Sequence, residues 1–432
     1  MVSGRVAVIA APSGVSSTVP VTSGSVIRGP HAPAPASSAS VAIGSASSGP
    51  VAIGSASSGP VAWIDTAALT HNFAQVRKLV GPRVDILAMI KADAYGHGAP
   101  TCAAALASAG CRVFGVATVE EAAAIVPLVK AAPAPSPARI VVVGGLLPAD
   151  AEAAVATGAE VFTQEIEVVR ALGERASAAG TEAVVHVKID TGMHRLGVAP
   201  ADAVAFVRAA TAVRGVRVVA ICSHFAQAES VTGEVTAGQL EAMLGADAAL
   251  REAGFTFVRH LANSAAVLSR PEAHLDMVRP GIMLYGVAPD ASLRGRAELR
   301  PVMRLAARVI RVADVAAGEG IGYGHTFHTT RPTRLATVRC GYADGYPRSL
   351  GNVAMASVHG GRVPLVGRIC MDHAMFDVTD AASVAVGDEV TLWGGDPEVE
   401  EVANLAGTIA YELLARVGAR VRRQPLRHEQ GE

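Results

Sequence analysis

A lysine closing an apolar run is the first residue in this chain whose surroundings suit covalent chemistry. Lys91 follows residues 85–90 and opens Lys91-Ala92-Asp93-Ala94-Tyr95-Gly96-His97-Gly98. An amine beside an apolar strand loses hydration, its pKa falls, and a neutral nucleophile becomes available. Such an amine forms a Schiff base with an aldehyde. A lone lysine there also snorkels to water without doing chemistry. Two arginines stand by other apolar runs: Arg195, seven residues after Lys188, and Arg279, on the expected strand at 277–285, in Val278-Arg279-Pro280-Gly281-Ile282. The planar guanidinium fork matches oxyanions. Ser223-His224-Phe225 and Asn263-Ser264 close two further runs. Taken singly, His224 reads as a core histidine, Lys188 as a strand-end lysine and Asn263-Ser264 as a helix cap.

The elements that must hold these residues alternate. Strands are expected at 85–92, 114–118, 139–144, 160–163, 184–190, 217–224, 257–262 and 277–285, mostly separated by segments of helix length. Several are continuous apolar runs, as parallel strands covered on both faces require. Eight such units predict an α/β fold, a (β/α)8 TIM-type barrel over 61–295, with catalytic residues at the carboxyl ends of its strands. Phosphate sites in barrels commonly form after strands seven and eight, where Ser264, Gly281 and Ile282 stand. From 296 to 432 the pattern changes. Strands at 304–315, 334–341, 353–359, 363–369 and 389–393 and one helix near 400–416 predict a smaller, mostly β C-terminal domain. Residues 1–60 are rich in Ser, Gly, Pro and Ala, and residues 41–50 (VAIGSASSGP) recur as 51–60. That composition predicts a disordered low-complexity tail.

Composition narrows the class. The 432 residues carry 37 Lys and Arg against 38 Asp and Glu, so no basic excess points to nucleic acid. Five scattered cysteines give neither a disulfide framework nor a metal-binding CxxC pair. No stretch is long and apolar enough to span a bilayer, and the run at 6–11 is shorter than a usual signal-peptide core. A cytoplasmic protein without membrane, nucleic-acid or metal partners is expected.

The segment around Lys91 resembles the cofactor-lysine motif of the alanine racemases. The segments at 187–197, 223–225, 260–266, 278–286, 321–327, 340–347 and 366–372 resemble further motifs of that family. The likeness runs from about residue 63 to 423. It implies pyridoxal 5'-phosphate (PLP) as cofactor, held on Lys91. It implies that Tyr95, Asn263, Ser264, Gly281, Ile282 and Tyr411 gather about its phosphate end. Arg195 would bond its phenolic oxygen and seat the substrate carboxylate, and Lys188 matches a lysine often carbamylated in the family. Arg279 would face the pyridine nitrogen, with His224 linking it to a tyrosine base. Arginine donates and has no acceptor, so that nitrogen would stay unprotonated and the ring a restrained electron sink. Lys91 and Tyr323 would be two bases on opposite faces of Cα, as racemisation requires. Tyrosine ordinarily titrates near ~10, so such a base needs a helper. Tyr342 and Met371 would line the substrate entrance. Five of the six tyrosines (95, 285, 323, 342 and 346) fall inside these motifs, and the sixth, in Tyr411-Glu412, resembles a shorter one of the family.

The resemblance further implies interconversion of L- and D-alanine, supply of D-alanine for peptidoglycan, and a head-to-tail homodimer with shared active sites. A racemase of broader amino-acid range on the same fold is the nearest alternative. An amino-acid decarboxylase is disfavoured by Arg279, where those enzymes place a carboxylate. A non-catalytic PLP carrier is disfavoured by the Tyr323 motif.

Overall fold

The computed structural model describes residues 59–130, 138–230, 233–381 and 383–426. The expected N-terminal tail, apart from its last two residues, lies outside these. Eight parallel strands close into a barrel in chain order: β2 (Asp85–Met89), β3 (Val113–Val116), β4 (Arg139–Val142), β5 (Glu160–Thr163), β6 (Ala183–Lys188), β7 (Val216–Cys222), β8 (Val258–His260) and β9 (Met277–Val278). Each falls within a residue or so of an expected start, because short β-branched runs between amphipathic helices can pack only as buried parallel strands. Leu87, Met89, Val113, Val141, Phe162, Cys222 and Met277 form an apolar cluster of their own. They come from strands around the barrel, so the interior is packed rather than open.

The eighth strand is shorter than expected. It ends at Val278, and Ile282–Tyr285 forms a 3-10 turn instead of a continued strand. Pro280 has no N–H to give to a ladder, so the extended run stops there. The carboxyl end is thereby opened, and the backbone of 279–282 turns across the mouth of the barrel.

The C-terminal region is mostly β and is built on an eight-stranded sheet that also takes in one strand from before the barrel. Its spine is β10 (Met303–Val315), a thirteen-residue strand whose register shifts between Val309 and Arg311. Two strands were not anticipated at its flank. The first, β1 (Val61–Ile64), precedes the barrel in sequence but pairs antiparallel with β10. The second, Arg422–Pro425, pairs parallel with β1. Ala374–Asp377, also unanticipated, pairs with Thr333–Val338. The expected helix at 400–416 is two helices, Val399–Ala406 and Ala410–Ala415, parted by Gly407 at φ 75°. The second of them carries Tyr411 to the mouth of the barrel. Among the described residues, no helix is long and apolar enough to cross a membrane.

Candidate active site

At the carboxyl end of the barrel strands lies a cavity of about 670 Å³. Its lining includes Lys91, Tyr95, Lys188, Arg195, His224, Asn263, Ser264, Arg279, Gly281, Ile282 and Tyr411. Six separate stretches of sequence thus converge on one concavity. The barrel mouth is where strand ends from all round the sheet meet.

Lys91 begins the turn that follows β2. The four residues after it, Ala92 to Tyr95, all have φ between 52° and 55°. A left-handed turn costs L-residues roughly 1–2 kcal/mol each, so something must hold it. Glu121 does so from one side: its carboxylate accepts the Ala92 N–H at 2.7 Å and the Ala117 N–H at 2.6 Å. Asp93 accepts the Ala99 N–H at 2.7 Å on the other. Burial and then the charge of Arg195 hold the Lys91 amine below its usual pKa, against the pull of Glu121. The neutral amine needed for imine chemistry is therefore accessible nearer neutrality than for a lysine in water.

Tyr95 leads one end of the cavity. Its ring lies 4.9 Å from that of Tyr285 and 6.2 Å from that of Tyr411. Burial pushes its phenol up to about 12, so it remains a hydroxyl donor. Gly281 faces it so closely that a Cβ would stand 2.3 Å from Tyr95 Oη. Ser264 Oγ accepts the Gly281 N–H at 2.8 Å, which leaves its own O–H to donate elsewhere. Asn263 uses its side chain to cap the next helix, accepting the Ala266 N–H at 3.0 Å. Two phenols, a serine hydroxyl and a backbone turn too tight for a side chain form a donor-rich cradle of the kind a phosphate monoester needs.

Arg279 is buried on the floor. Its guanidinium donates to Ser223 O at 2.6 Å, to His224 Nδ1 at 3.1 Å and to His260 Nδ1 at 3.0 Å. Arginine has no acceptor, so both imidazoles must accept through Nδ1 and carry their proton on Nε2. Burial, then the charge of Arg279, drives the pKa of His224 and of His260 well below 6.5, so both rings are neutral. Among the described residues, Lys188 Nζ reaches only its neighbour's carbonyl, Ile189 O, at 3.4 Å. Burial lowers its pKa to about 8. Arg195 is exposed at the rim of the same cavity.

Three expected residues do not line the cavity. Tyr323, Tyr342 and Met371 are 69%, 42% and 53% exposed, on loops of the C-terminal region. Tyr342 and Met371 are adjacent through their backbones, since the Tyr342 N–H bonds Cys370 O at 3.1 Å and the Ala343 N–H bonds Met371 O at 3.0 Å. The structure also adds residues that the sequence did not single out: Glu121 beneath the Lys91 turn, and His260, His186 and Glu160 behind Arg279. Their only signal in sequence is a polar residue interrupting or bordering an apolar run.

Comparison with known proteins agrees with this geometry. The model of the alanine racemase N-terminal domain matches residues 64–289, and that of the C-terminal domain matches 302–425. An alanine racemase of Desulfovibrio desulfuricans is 43% identical over 84% of this chain and 96% of its own. The solved structure of the alanine racemase of Streptomyces coelicolor A3(2) superposes with TM-score 0.80 at 38% identity, over 85% of this chain and 98% of that one. A Bartonella henselae alanine racemase solved with covalently bound pyridoxal phosphate has TM-score 0.77 at 30% identity, over 86% and 100%.

Proposed function

The chain belongs to the alanine racemase family, and from that premise we propose that PLP is carried on Lys91 and that Lys91 and Tyr323 are the two bases. The protein is an isomerase that interconverts L- and D-alanine. The observation that carries the residue assignment is the pairing of a lysine of lowered pKa with buried Arg279 in one cavity. When bound, the cofactor withdraws electrons from Cα and makes its hydrogen acidic.

The residues present fit that group. Tyr95, Ser264, Gly281, Ile282 and Tyr411, with Asn263 fixing the turn beside Ser264, would hold the phosphate. Arg279 would give a hydrogen bond to the ring nitrogen and no proton. Arg195 would meet the phenolic oxygen and the substrate carboxylate. Lys188, whose neutral amine becomes available above about pH 8, is a site for addition of CO2: the amine bonds the carbon, loses a proton and becomes an anion able to hold Arg195.

On one face of Cα, Lys91 Nζ takes the proton of D-alanine. On the other, the Tyr323 oxygen takes the proton of L-alanine; as one base removes a proton from its face, the other delivers its own proton to the opposite face, so Lys91 delivers the proton that forms D-alanine and Tyr323 the one that forms L-alanine. His224 Nε2–H, freed because Nδ1 is engaged by Arg279, is the donor that would stabilise the tyrosine oxygen in its basic form. Tyr323, Tyr342 and Met371 reach this chemistry from the other subunit of a head-to-tail homodimer. Tyr342 and Met371 narrow the entrance to alanine. The product serves cytoplasmic D-alanine supply for peptidoglycan.

The test is L-alanine in D2O with PLP, followed by NMR and chiral chromatography, for wild type, Lys91→Ala and Tyr323→Phe. Wild type yields deuterated D-alanine. Each variant loses on the order of 10²–10⁴-fold, the usual worth of a positioned base. Deuterium uptake without D-alanine in wild type, or a Tyr323→Phe variant of unchanged rate, removes Tyr323 from its role.

A further inference from the structure

Arg279 is the upper end of a chain of hydrogen bonds through the middle of the barrel. Its guanidinium donates to His260 Nδ1 at 3.0 Å. His260 Nε2 lies 2.9 Å from His186 Nδ1, and His186 Nε2 lies 2.7 Å from a carboxylate oxygen of Glu160. Glu160 is the first residue of β5, His186 is inside β6, His260 ends β8 and Arg279 follows β9. The chain therefore runs from the amino-terminal floor of the barrel to the cavity at its carboxyl end. Both imidazoles are fully buried, and Phe162 packs its ring 5.4 Å from each. At the floor, Arg139 bonds the Glu160 carboxylate at 2.7 and 3.0 Å. Burial alone would raise the Glu160 carboxyl, but His186 and Arg139 hold it down at about 2, so it is ionised.

The two ends dictate the polarity of everything between them. Glu160 can only accept and Arg279 can only donate. His186 must therefore donate through Nε2 and accept through Nδ1, and His260 must do the same. Every donor points from Arg279 toward Glu160. In a dry interior, aligned hydrogen bonds of this kind polarise one another.

We propose that Glu160 is a positioning residue for racemisation, fixing through His186 and His260 the tautomer chain that orients the Arg279 guanidinium in the cavity. The proposal rests on the reading that Arg279 faces the cofactor nitrogen. It adds that the carboxylate setting that arginine's orientation lies at the far end of the barrel. Arg279 also donates to Ser223 O and His224, so loss of the chain misaims it without freeing it. A misplaced group of this kind costs on the order of 10²-fold or less in rate.

The first measurement is 15N NMR of the wild-type holoenzyme labelled at histidine, with assignments from His186→Gln and His260→Gln. The expected result is neutral Nε2–H tautomers for both rings. An Nδ1–H tautomer or a protonated ring at either position overturns the proposal. The second compares Glu160→Gln with Arg139→Gln. An amide at 160 is neutral and has one accepting oxygen where the carboxylate has two: turned toward His186 it sets its own N–H against Arg139 Nε, and turned the other way it sets that N–H against His186, whereas Arg139→Gln leaves the carboxylate to His186. Glu160→Gln is expected to lower kcat roughly 10-fold to 10²-fold with KM nearly unchanged, to shift the His260 signals and to change the bound cofactor's absorption. Arg139→Gln is expected to lose stability but to keep the tautomers and kcat within about threefold. If the two variants match in kcat and in histidine signals, the Glu160–Arg139 pair is only structural and the proposal fails. If Glu160→Gln does not fold, the wild-type tautomers decide. Arg279→Lys separates the underlying reading: cofactor absorption and turnover unchanged in that variant would remove Arg279 from the cofactor, whatever the tautomers.

Discussion

Lys188 and Lys91 sit at the ends of different strands, and burial weakens the charged form of both. For Lys188 this has a measurable sign. Its folded pKa is about 8 against the ordinary 10.5. Between those values the unfolded chain holds a proton that the folded chain lacks, so stability rises with pH across that window. Below about pH 8 both states are charged and the full cost of burying the ammonium is present. Lys188→Met removes the group. Compared by urea denaturation in CO2-free buffer, wild type should gain on the variant by up to about 3 kcal/mol as pH rises from 8 to 10.5. A difference independent of pH would mean that Lys188 is solvated in solution. Adding bicarbonate near pH 8 should flatten the dependence, because carbamylation replaces the titrating amine. The sequence placed Lys91 and Lys188 at strand ends from their neighbours alone and Arg279 inside the eighth strand, which the structure ends at Val278. It could not show the tautomers of His224, His186 and His260, because a tautomer is set by partners up to 74 residues away.

At the scale of elements, the barrel was legible because each strand is a local apolar run, and local runs are what a sequence displays. Three kinds of feature were not. Val61–Ile64 and Arg422–Pro425 pair across the whole chain, and the second is polar and carries a proline, so neither reads as a strand until its partner is known. The 400–416 helix looked continuous, but Gly407 adopts φ 75° and ends the first helix, and a second begins at Ala410. The left-handed turn at Ala92–Tyr95 contains no glycine to announce it; it is imposed by Glu121 and Asp93. Gly281 is the opposite case, a glycine whose reason is steric. A methyl there would meet Tyr95 Oη at 2.3 Å, and Tyr95 is wedged against Tyr285 and Tyr411. Gly281→Ala should cost about 1–3 kcal/mol by thermal or urea denaturation and weaken PLP binding, since the hydroxyl must swing away. Gly238→Ala, inside helix Glu234–Glu252 with nothing within 4 Å of the new methyl, should instead be neutral or stabilising by up to about 1 kcal/mol. Equal effects at the two sites would show that the 281 backbone gives way freely.

For the whole molecule the proposed site is divided between subunits. One subunit carries Lys91 and Arg279 in a deep cavity, while its Tyr323, Tyr342 and Met371 face outward. Tyr323, proposed as a base, is 69% exposed and lies outside the cavity that holds Lys91. In the proposed head-to-tail dimer each such patch would meet the other subunit's cavity, giving two composite sites. This arrangement predicts complementation. Lys91→Ala and Tyr323→Phe homodimers each carry two damaged sites. A heterodimer concentrates both lesions in one site and leaves the other with an intact Lys91 from one chain and an intact Tyr323 from its partner. If subunits are unfolded together, mixed equally and refolded with PLP, half of the dimers are mixed and each has one good site of two. Racemisation should then recover to about a quarter of the wild-type rate per subunit. If Lys91 and Tyr323 instead served one site within a single chain, every site in the mixture would carry a lesion and no activity would return. Differently tagged subunits, purified through both tags after mixing, sharpen the distinction: the doubly tagged dimer should run at about half the wild-type rate if the sites are shared.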